Sequence, residues 1–555
     1  MISRLFPPDE ASSWQRVRRY AVPRWMIEQA TERRLAGDWR GACAAANVDI
    51  AFDLGDIAAE YGAEAAAAIE DDLLNLAPDL LRWHLPRALG GRTTIGTGEI
   101  VILAGLDRAA PPTRERPGPW LHTVPLRLVD GPQRLTLAFG SVPRGSRHDW
   151  TGARHLWDAR RTGELLARCG GSTRAPFFHA DGTPRAEKEL PSGPSLDPAE
   201  NTEWVTGLHE RGDVEAACAA AGIELAHIPP AERRPRPSDL PKVLAGMPLA
   251  LTRLAEEVRL TGHGSAIISY GWRYRLQVEA GRDGARVRVA DSDAANEIPV
   301  MAEARWRRLP DLDLLRTGRM SPDALHPLVH AALFPAATTP ARGPAEAVRT
   351  SPFPVRCRGE WHEVGPDLSM PHDDAERRRE RALRVLGGAV AGCFAVEEAW
   401  AKGTGRLPRA LREQRRELFL RAQHGDTPGV LRLLDAGVDP RARDGRGRTL
   451  LHALHLLDHE PLLPRLLDAG LDLEATDHNQ RTALHVAVGT RGSEALVRAL
   501  LAAGARIDVV DCRGWSIRDL IRWNKRAELA FLARQITPGL GSVVTWFPDR
   551  DEKDE

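Results

Sequence analysis

The chain has 555 residues and equal numbers of acidic and basic side chains, so its formal net charge at pH 7 is zero. A neutral chain has no net field that would draw it to nucleic acid or to an anionic membrane, so charge alone favours neither partner. At this length we expect two to four domains, each large enough to form its own core.

The first 340 residues contain a long and weak internal repeat. A Gly-Asp pair followed by an alanine-rich helical stretch at 37–46 recurs at 212–221. Leucine-rich helical stretches follow at 73–85 and at 240–254. The same order of features in both places favours a duplication. The alternative is that two alanine-rich helices simply look alike in an alanine-rich chain.

The strand and hairpin patterns that follow are also repeated in both halves. Apolar alternation predicts strands at 99–103 and 265–269 and hairpins at 120–138 and 272–290. Each hairpin pattern is interrupted by a turn that contains Asp-Gly, which is a strong hairpin signal. These patterns favour an α+β fold in both halves.

We therefore predict two tandem duplicated α+β modules. They span 15–175 and 200–340, and residues 176–199, rich in proline, serine and charge, join them as a linker. Neither module contains a complete catalytic motif. The sequence Gly-His-Gly-Ser at 262–265 lacks the Gly-x-Ser-x-Gly elbow, and no lysine stands in a phosphate-binding loop. We expect no catalytic residue.

Residues 341–413 are predicted to connect the modules to the C-terminal region. This segment is rich in proline, with one strand at 354–364 and a long helix at 373–402. The basic run at 376–381 is interleaved with glutamates and fits the solvated face of an amphipathic helix. A second basic cluster lies near the N-terminus, at Arg16, Arg18, Arg19 and Arg24. It lacks an arrangement of aromatic stacking partners, so nucleic acid is not an expected partner.

The connection also holds a possible metal site. Cys357, His362 and His372 lie close together in the sequence. Zinc sites usually place two ligands two to four residues apart, with a second such pair elsewhere, and Cys357-x4-His362 has no matching pair. The sequence favours an unligated edge strand, and we expect no metal and no other cofactor.

Between residues 414 and 536 the chain repeats itself with a period of 33–34 residues. Three sets of positions keep this step: Asp444, Asp477 and Asp511; Gly437, Gly470 and Gly504; and the leucine pairs at 433–434, 466–467 and 500–501. A period of this length is typical of stacked helical units, each of which buries its apolar face against its neighbours. The glycines follow apolar runs, where a helix end favours a left-handed residue.

The residues inside the period resemble the ankyrin repeat, whose mark is Thr-Pro-Leu-His-x-Ala. The matching stretches are Thr-Leu-Leu-His-Ala at 449–453 and Thr-Ala-Leu-His-Val-Ala at 482–487. Leu450 and Ala483 replace the proline, and Gln480 replaces the usual turn glycine. The first copy lacks the motif and the fourth has Ser-Ile-Arg-Asp at 516–519. We predict two full repeats between two caps, followed by an acidic tail at 537–555.

The resemblance implies a role for each motif residue. Four of them, Thr449, His452, Thr482 and His485, are structural: the threonines cap helices and the histidines tie neighbouring units together. A partner is expected to bind the hairpin tips and the concave helical face. On this chain the tip residues are Arg446, Arg448, His478, Asn479, Arg481, Arg513 and Trp515. Such side chains form interface hot spots, and an acidic or peptide-like partner would suit the arginines. Solvated turns without a partner are the alternative.

Six cysteines are spread along the chain without a Cys-x-x-Cys pair. This is not a disulfide framework, so we expect a reducing, cytoplasmic location. The most apolar run, 387–396, is too short to cross a bilayer, and the N-terminus has no apolar stretch of signal-peptide length. The excess of arginine over lysine and the many Ala, Gly and Pro residues are typical of a bacterial, actinobacterium-like genome.

The sequence predicts an α+β region followed by a C-terminal α-solenoid, in a non-enzymatic cytoplasmic scaffold that binds a protein partner through its repeats. The alternative is an enzyme or effector whose activity resides in the duplicated modules and which the repeats tether. A deep polar pocket in the modules would favour this alternative, whereas shallow surfaces lined by tryptophan would favour the scaffold. The identity of the partner and the oligomeric state are not predicted.

Overall fold

The computed structural model describes residues 6–106, 118–125, 128, 130–143, 146–226, 240–270, 274–290, 298–346, 352–387, 390–537 and 539–541. The chain divides into two compact units. The first comprises 1–127 and 134–345, and the second comprises 128–133 and 346–555. No helix among the described residues is both long and apolar enough to span a bilayer. Most of the expected tail at 537–555 lies outside the described residues.

The first half of the first unit mixes short helices with a five-stranded sheet. Its elements are α1 (Pro8–Tyr20), α2 (Arg24–Leu35), α3 (Trp39–Ala45), β1 (Val48–Ile50), α4 (Leu54–Tyr61), α5 (Ala63–Asn75), α6 (Pro78–His84), β2 (Glu99–Gly105), β3 (Trp120–Pro125), β4 (Leu135–Gly140), β5 (Ser146–Asp149) and α7 (Leu165–Arg168). Helix α3 starts where Asp38 accepts a hydrogen bond from the Gly41 amide at 2.8 Å, which satisfies one of the free amides of a helix start.

The second half of this unit continues with α8 (Pro198–Arg211), α9 (Val214–Ala220), β6 (Ile223–Leu225), α10 (Leu240–Leu244), α11 (Leu251–Arg259), β7 (Ser265–Tyr270), β8 (Tyr274–Ala280), β9 (Ala285–Val289), α12 (Glu303–Trp306), α13 (Pro310–Arg316) and α14 (Pro327–Leu333). The strands predicted at 99–103 and 265–269 are confirmed, and so is the antiparallel pairing of both hairpins. Residues 126, 127, 129, 272 and 273 of the predicted hairpins lie outside the described residues. Helix α8 begins at Pro198, within the segment expected as a linker.

The two sheets of the first unit share the order of four strands, and the first sheet adds β5 at its edge. In the first, the order is β1-β4-β3-β2-β5, and in the second it is β6-β9-β8-β7. In each sheet the earliest strand pairs in parallel with the last strand of an antiparallel meander, β1 with β4 and β6 with β9. Each sheet also packs against its own buried apolar cluster.

Two arginines of the N-terminal cluster bond to distant parts of the first unit. The Arg18 side chain is only 3% exposed and donates two hydrogen bonds to the Asp311 carboxylate, at 2.9 and 2.6 Å. Arg24 donates to the Arg342 carbonyl at 2.9 Å. Arg16 bonds locally, to the Ser13 hydroxyl at 3.2 Å, and Arg19 is exposed.

The second unit begins with a two-stranded hairpin and continues as pairs of helices. Its elements are β10 (Phe353–Cys357), β11 (Glu360–Val364), α15 (Asp374–Val385), α16 (Gly392–Lys402), α17 (Arg409–Gln423), α18 (Thr427–Asp435), α19 (Leu450–Ala453), α20 (His459–Asp468), α21 (Ala483–Gly489), α22 (Glu494–Ala502), α23 (Ile517–Trp523) and α24 (Ala530–Ala533). One apolar core extends from Phe353 to Ile536, so the hairpin and the repeats share buried surface.

The prediction of one long helix at 373–402 is wrong. Two helices, α15 and α16, occupy this range, and the chain leaves helical geometry after Val385. Gly387 has a φ of +81° and Gly392 a φ of +61°, left-handed values that a continuous α-helix does not contain. The predicted strand at 354–364 is in fact a hairpin, with Arg358 and Gly359 both at positive φ in its two-residue turn.

Candidate functional site

Each repeat of the second unit presents a hairpin tip that is closed by an aspartate. Asp477 accepts hydrogen bonds from the amides of Asn479 at 2.8 Å and Arg481 at 3.0 Å. Asp444 and Asp511 make the same pair of contacts to the amides two and four residues later. The repeated aspartates are therefore turn-forming residues, which explains why they hold the period so strictly.

The tips of neighbouring repeats are joined by backbone hydrogen bonds. The His478 amide donates to the Arg446 carbonyl at 2.9 Å, and the Cys512 amide donates to the Asn479 carbonyl at 2.9 Å. The three tips therefore form a continuous ladder along one edge of the stack. Gln480, which stands in place of a glycine, adopts a φ of +57° and keeps the turn geometry.

The threonine and histidine of each repeat contact each other at the start of a helix, and His452 also contacts the next repeat. The Thr449 hydroxyl lies 2.9 Å from His452 Nδ1, and His452 Nε2 lies 2.9 Å from the Arg481 carbonyl of the next repeat. Thr482 and His485 repeat the first contact at 3.0 Å. Burial lowers the pKa of His452 to about 4, against the opposing effect of its hydrogen bond to Arg481. A neutral ring is thus the stable form at physiological pH.

Two kinds of arginine occupy the tips. Arg448 and Arg481 lie 2.7 Å from the carboxylates of Asp444 and Asp477 in their own turns, and their side chains are 25% and 28% exposed. Arg446 is 51% exposed, and its guanidinium lies 3.7 Å from the Asp130 carboxylate of the same unit.

Trp523, which sequence reasoning missed, lies beside Trp515 of the last tip. Trp523 is 66% exposed, and its ring meets Trp515 edge to face with a centroid separation of 5.5 Å. No sequence signal marked Trp523, because a tryptophan in the last turn of a helix is usually buried. The described tips thus offer the exposed cation Arg513, the exposed polar residues His478 and Asn479, and the half-buried Trp515, beside which lies the exposed Trp523 of α23.

The comparison with protein families decides the identity of this stack. A family described as ankyrin repeats (3 copies) matches residues 418–511. These residues are ankyrin repeats. The N-terminal part has no family match, and no curated protein matches the chain. The ankyrin repeats extend from α17 to the last hairpin tip, and α23 and α24 follow them as a further helical pair.

The first unit contains a cavity of about 90 Å³. Its lining includes three buried histidines, each of which has one ring nitrogen without a hydrogen-bond partner among the described residues: His84 Nε2, His155 Nδ1 and His209 Nδ1. Burial, followed by the neighbouring Arg18, lowers the pKa of His84 well below its usual value. Burial, followed by Arg168, does the same for His155. Both rings are therefore neutral and available as hydrogen-bond partners for a small ligand.

The second unit brings together a set of metal-ligating side chains that the sequence did not assemble. Cys357, His362, His372 and Cys393 each place one ligand atom within 4.8 Å of the others. The expectation of an unligated edge strand rested on the lack of a second ligand pair to match Cys357 and His362. The structure supplies that pair as His372 and Cys393, which lie on either side of α15. Burial, followed by the neighbouring Cys357, raises the pKa of the Cys393 thiol to about 12.

Proposed function

We propose that this protein is a non-enzymatic cytoplasmic interaction protein whose ankyrin repeats bind an acidic, peptide-like segment of a protein partner. The observation that carries the proposal is the continuous ladder of hairpin tips, which holds neighbouring tip side chains in a fixed row. A pre-ordered row loses little conformational entropy on binding. The six free cysteines among the described residues are compatible with a reducing compartment.

The binding surface is proposed to centre on the last two tips. Arg513 supplies a cation, and Trp515 with Trp523 supplies an aromatic anchor of the kind that dominates interface energies. His478 and Asn479 extend the row with exposed polar groups. Arg448 and Arg481 are assigned to the turns, because aspartates of the same turns already engage their guanidinium groups.

A comparison of matched variants of the full chain tests this surface. Arg513→Glu combined with Trp523→Ala changes only exposed side chains and should reduce capture of the main co-purifying partner at least tenfold. Ala502→Glu, an exposed position on α22, is the control and should retain capture. Equal capture by the tip variant and the control, with both variants folded by circular dichroism, would overturn the proposal.

We further propose that the first unit arose by duplication of one α+β module. The shared strand order of the two sheets supports this. So does a matching inter-element hydrogen bond: the Ala77 amide donates to the Trp157 carbonyl at 2.8 Å, and the Ala250 amide donates to the Trp306 carbonyl at 2.8 Å. A search for weak homology between 15–175 and 200–340 across a family alignment would test the idea, and no residual similarity would contradict it.

The histidine-lined cavity supports a second candidate function, in which the first unit is an effector or enzyme that the repeats tether. Its buried, unpartnered ring nitrogens are costly unless a ligand satisfies them. If this candidate is correct, expression of the full chain should alter growth of the host cell, and His155→Phe, which removes a buried ring nitrogen from the cavity lining, should abolish the effect. Growth unaffected by the wild-type chain at a high expression level would count against it.

A further inference from the structure

The four clustered side chains of the second unit come from four segments of the chain. Cys357 ends β10 and His362 lies in the middle of β11, where the hairpin register pairs it with Val355. His372 lies two residues before α15, and Cys393 is the second residue of α16. Side chains diagonally opposed on neighbouring strands are within reach of each other, so the hairpin alone brings Cys357 and His362 together.

Three of the six separations among the ligand atoms match those expected around a tetrahedral ion. Zinc lies about 2.3 Å from thiolate sulfur and about 2.0–2.1 Å from imidazole nitrogen, so tetrahedral geometry separates two nitrogens by about 3.3 Å and nitrogen from sulfur by about 3.5 Å. His362 Nδ1 and His372 Nε2 are 3.3 Å apart. Cys357 Sγ lies 3.6 Å from His372 Nε2, and Cys393 Sγ lies 3.6 Å from His362 Nδ1. Three measured edges therefore agree with the expected tetrahedron.

Hydrogen bonds account for single pairs among these groups, but they do not explain why all four ligand atoms lie within 4.8 Å of one another. The cluster is also nearly closed to solvent: Cys357 is 2% exposed and Cys393 is 0% exposed. The His372 side chain is 3% exposed and that of His362 is 19% exposed. Two thiols and two imidazoles buried this tightly form a complete ligand set for a structural ion.

A carboxylate outside the cluster fixes one of its imidazoles. His372 Nδ1 lies 3.0 Å from Glu376 Oε2, one helical turn later in α15. If Nδ1 donates its proton to this carboxylate, the lone pair of Nε2 faces the centre of the cluster. A histidine that binds a metal almost always donates its second N–H to such an outer partner. The ring of Phe394 covers the same imidazole, with ring centroids 4.7 Å apart.

We propose that Cys357, His362, His372 and Cys393 bind a single zinc ion. Two thiolates and two neutral imidazoles in a closed tetrahedron are typical of structural zinc. A two-iron cluster fits less well, because in such clusters the cysteines and histidines bind different irons, whereas here sulfur and nitrogen atoms lie at the spacing of a shared ion.

The ion would tie the start of the second unit to its ankyrin repeats. Helix α16 runs from Cys393 to the buried Trp400, whose indole N–H donates to the Asp439 carbonyl at 3.2 Å. The Arg443 amide donates to the Trp400 carbonyl at 3.2 Å. Zinc thus holds the hairpin and both helices in place as a cap on the first repeat, where a solenoid would otherwise expose its apolar end.

Metal analysis of the full chain, purified under reducing conditions without added chelator, tests the proposal directly. We expect one zinc per chain, and we expect the zinc-free protein refilled with Co²⁺ to show the intense visible absorption of a tetrahedral cobalt–thiolate site. A chain that retains no zinc and binds neither Zn²⁺ nor Co²⁺ at micromolar concentration would overturn the proposal. So would a chain that carries iron instead.

Variants locate the ion. Cys393→Ser should lower zinc affinity at least tenfold, whereas Cys512→Ser, at an exposed cysteine of the same unit, should leave it unchanged. Glu376→Gln should lower affinity about 10–100-fold through the outer contact to His372, with Glu363→Gln on β11 as its control. If Cys393→Ser does not fold, the cobalt spectrum of the wild-type chain still decides whether thiolates bind the ion. Equal zinc loss in Cys512→Ser and Cys393→Ser would contradict the assignment.

Discussion

Gly392 lies directly against Cys357. A Cβ atom on Gly392 would come 2.5 Å from the Cys357 sulfur and 2.9 Å from its Cα, both closer than side-chain carbons approach in proteins. Gly392 also adopts a φ of +61°, which favours glycine. The N-terminus of α16 can therefore approach the β10–β11 hairpin only because this residue has no side chain. That approach places Cys393 beside Cys357.

We predict that Gly392→Ala destabilises the second unit by about 2–3 kcal/mol and weakens zinc binding. The added methyl group must displace Cys357, and positive φ costs an alanine about 1 kcal/mol. Gly504→Ala is the matched control, because Gly504 has a φ of +96° but no atom within 4 Å of the added carbon. Hydrogen exchange of the α16 amides measures the difference. Equal effects of the two substitutions would contradict the close contact.

The tip aspartates should matter more to stability than the arginines that they bind. Burial opposes ionisation of Asp477, yet hydrogen bonds from the Arg481 side chain and backbone hold its pKa below the usual range. We predict that Asp477→Ala costs about 2–3 kcal/mol, because two amides and a guanidinium lose their acceptor. Arg481→Ala should cost less, since its side chain is 28% exposed and water can replace it. Hydrogen exchange across 477–490 would measure both losses.

The proposed partner-binding surface depends on whether Arg481 serves the turn or the partner. If Arg481→Ala leaves the hairpin intact but abolishes capture of a partner, Arg481 belongs to the binding surface after all. If it loosens the hairpin and leaves capture unchanged, the assignment to the turn stands. Charge reversal at Arg448 or Arg481 is a poor binding test, because it places two carboxylates against each other within one turn.

The repeats were predictable from sequence because their chemistry is local. Thr449 and His452 are three residues apart and contact each other, so a short motif contains the interaction. The left-handed glycines at the helix ends are likewise confirmed, with φ of +87° at Gly437 and +79° at Gly470. The contacts that define each repeat form between residues of a single period, and this period can be recognised directly in the sequence.

The metal cluster was not predictable because its decisive contact is not local. Cys393 follows His372 by 21 positions. The residue pattern at 373–402 is that of one continuous helix and does not show the break between α15 and α16. A glycine at 387 signalled the break, but glycine is also tolerated inside helices at modest cost. The buried histidines of the cavity raise the same difficulty, since His84, His155 and His209 come from three distant segments.

In the first unit, we predict strong coupling between Arg18 and Asp311. Asp311 accepts two hydrogen bonds from Arg18 and a third from the Trp83 indole at 3.0 Å, and its side chain is fully buried. Removing one member of a buried ion pair leaves the other charge without a partner, so Arg18→Met and Asp311→Leu should each cost about 3–5 kcal/mol. The double variant should cost less than the sum of the two.

These costs can be measured by unfolding the full chain in urea and following the hydrogen exchange of the amides in the first unit. Arg24→Met is the control, because the contact that Arg24 makes to the Arg342 carbonyl is exposed. Additive costs in the double variant would show that the two side chains do not interact in solution.

The ankyrin repeats should lose stability in mild acid because of His452. Its pKa in the folded protein is about 4, below the ordinary histidine value, because burial disfavours the charged ring. Below about pH 6.5 the unfolded chain binds a proton that the folded chain does not, so stability falls as the pH drops from about 6.5 towards 4 and stays level above this range. At pH 5 the loss from this residue is about 2 kcal/mol. His452→Gln keeps a donor towards the Arg481 carbonyl and an acceptor towards the Thr449 hydroxyl but cannot titrate, so it should reduce the difference in amide exchange at 450–489 between pH 7.5 and pH 5. An unchanged pH dependence in His452→Gln would mean that the ring is already accessible to protons in the folded repeat.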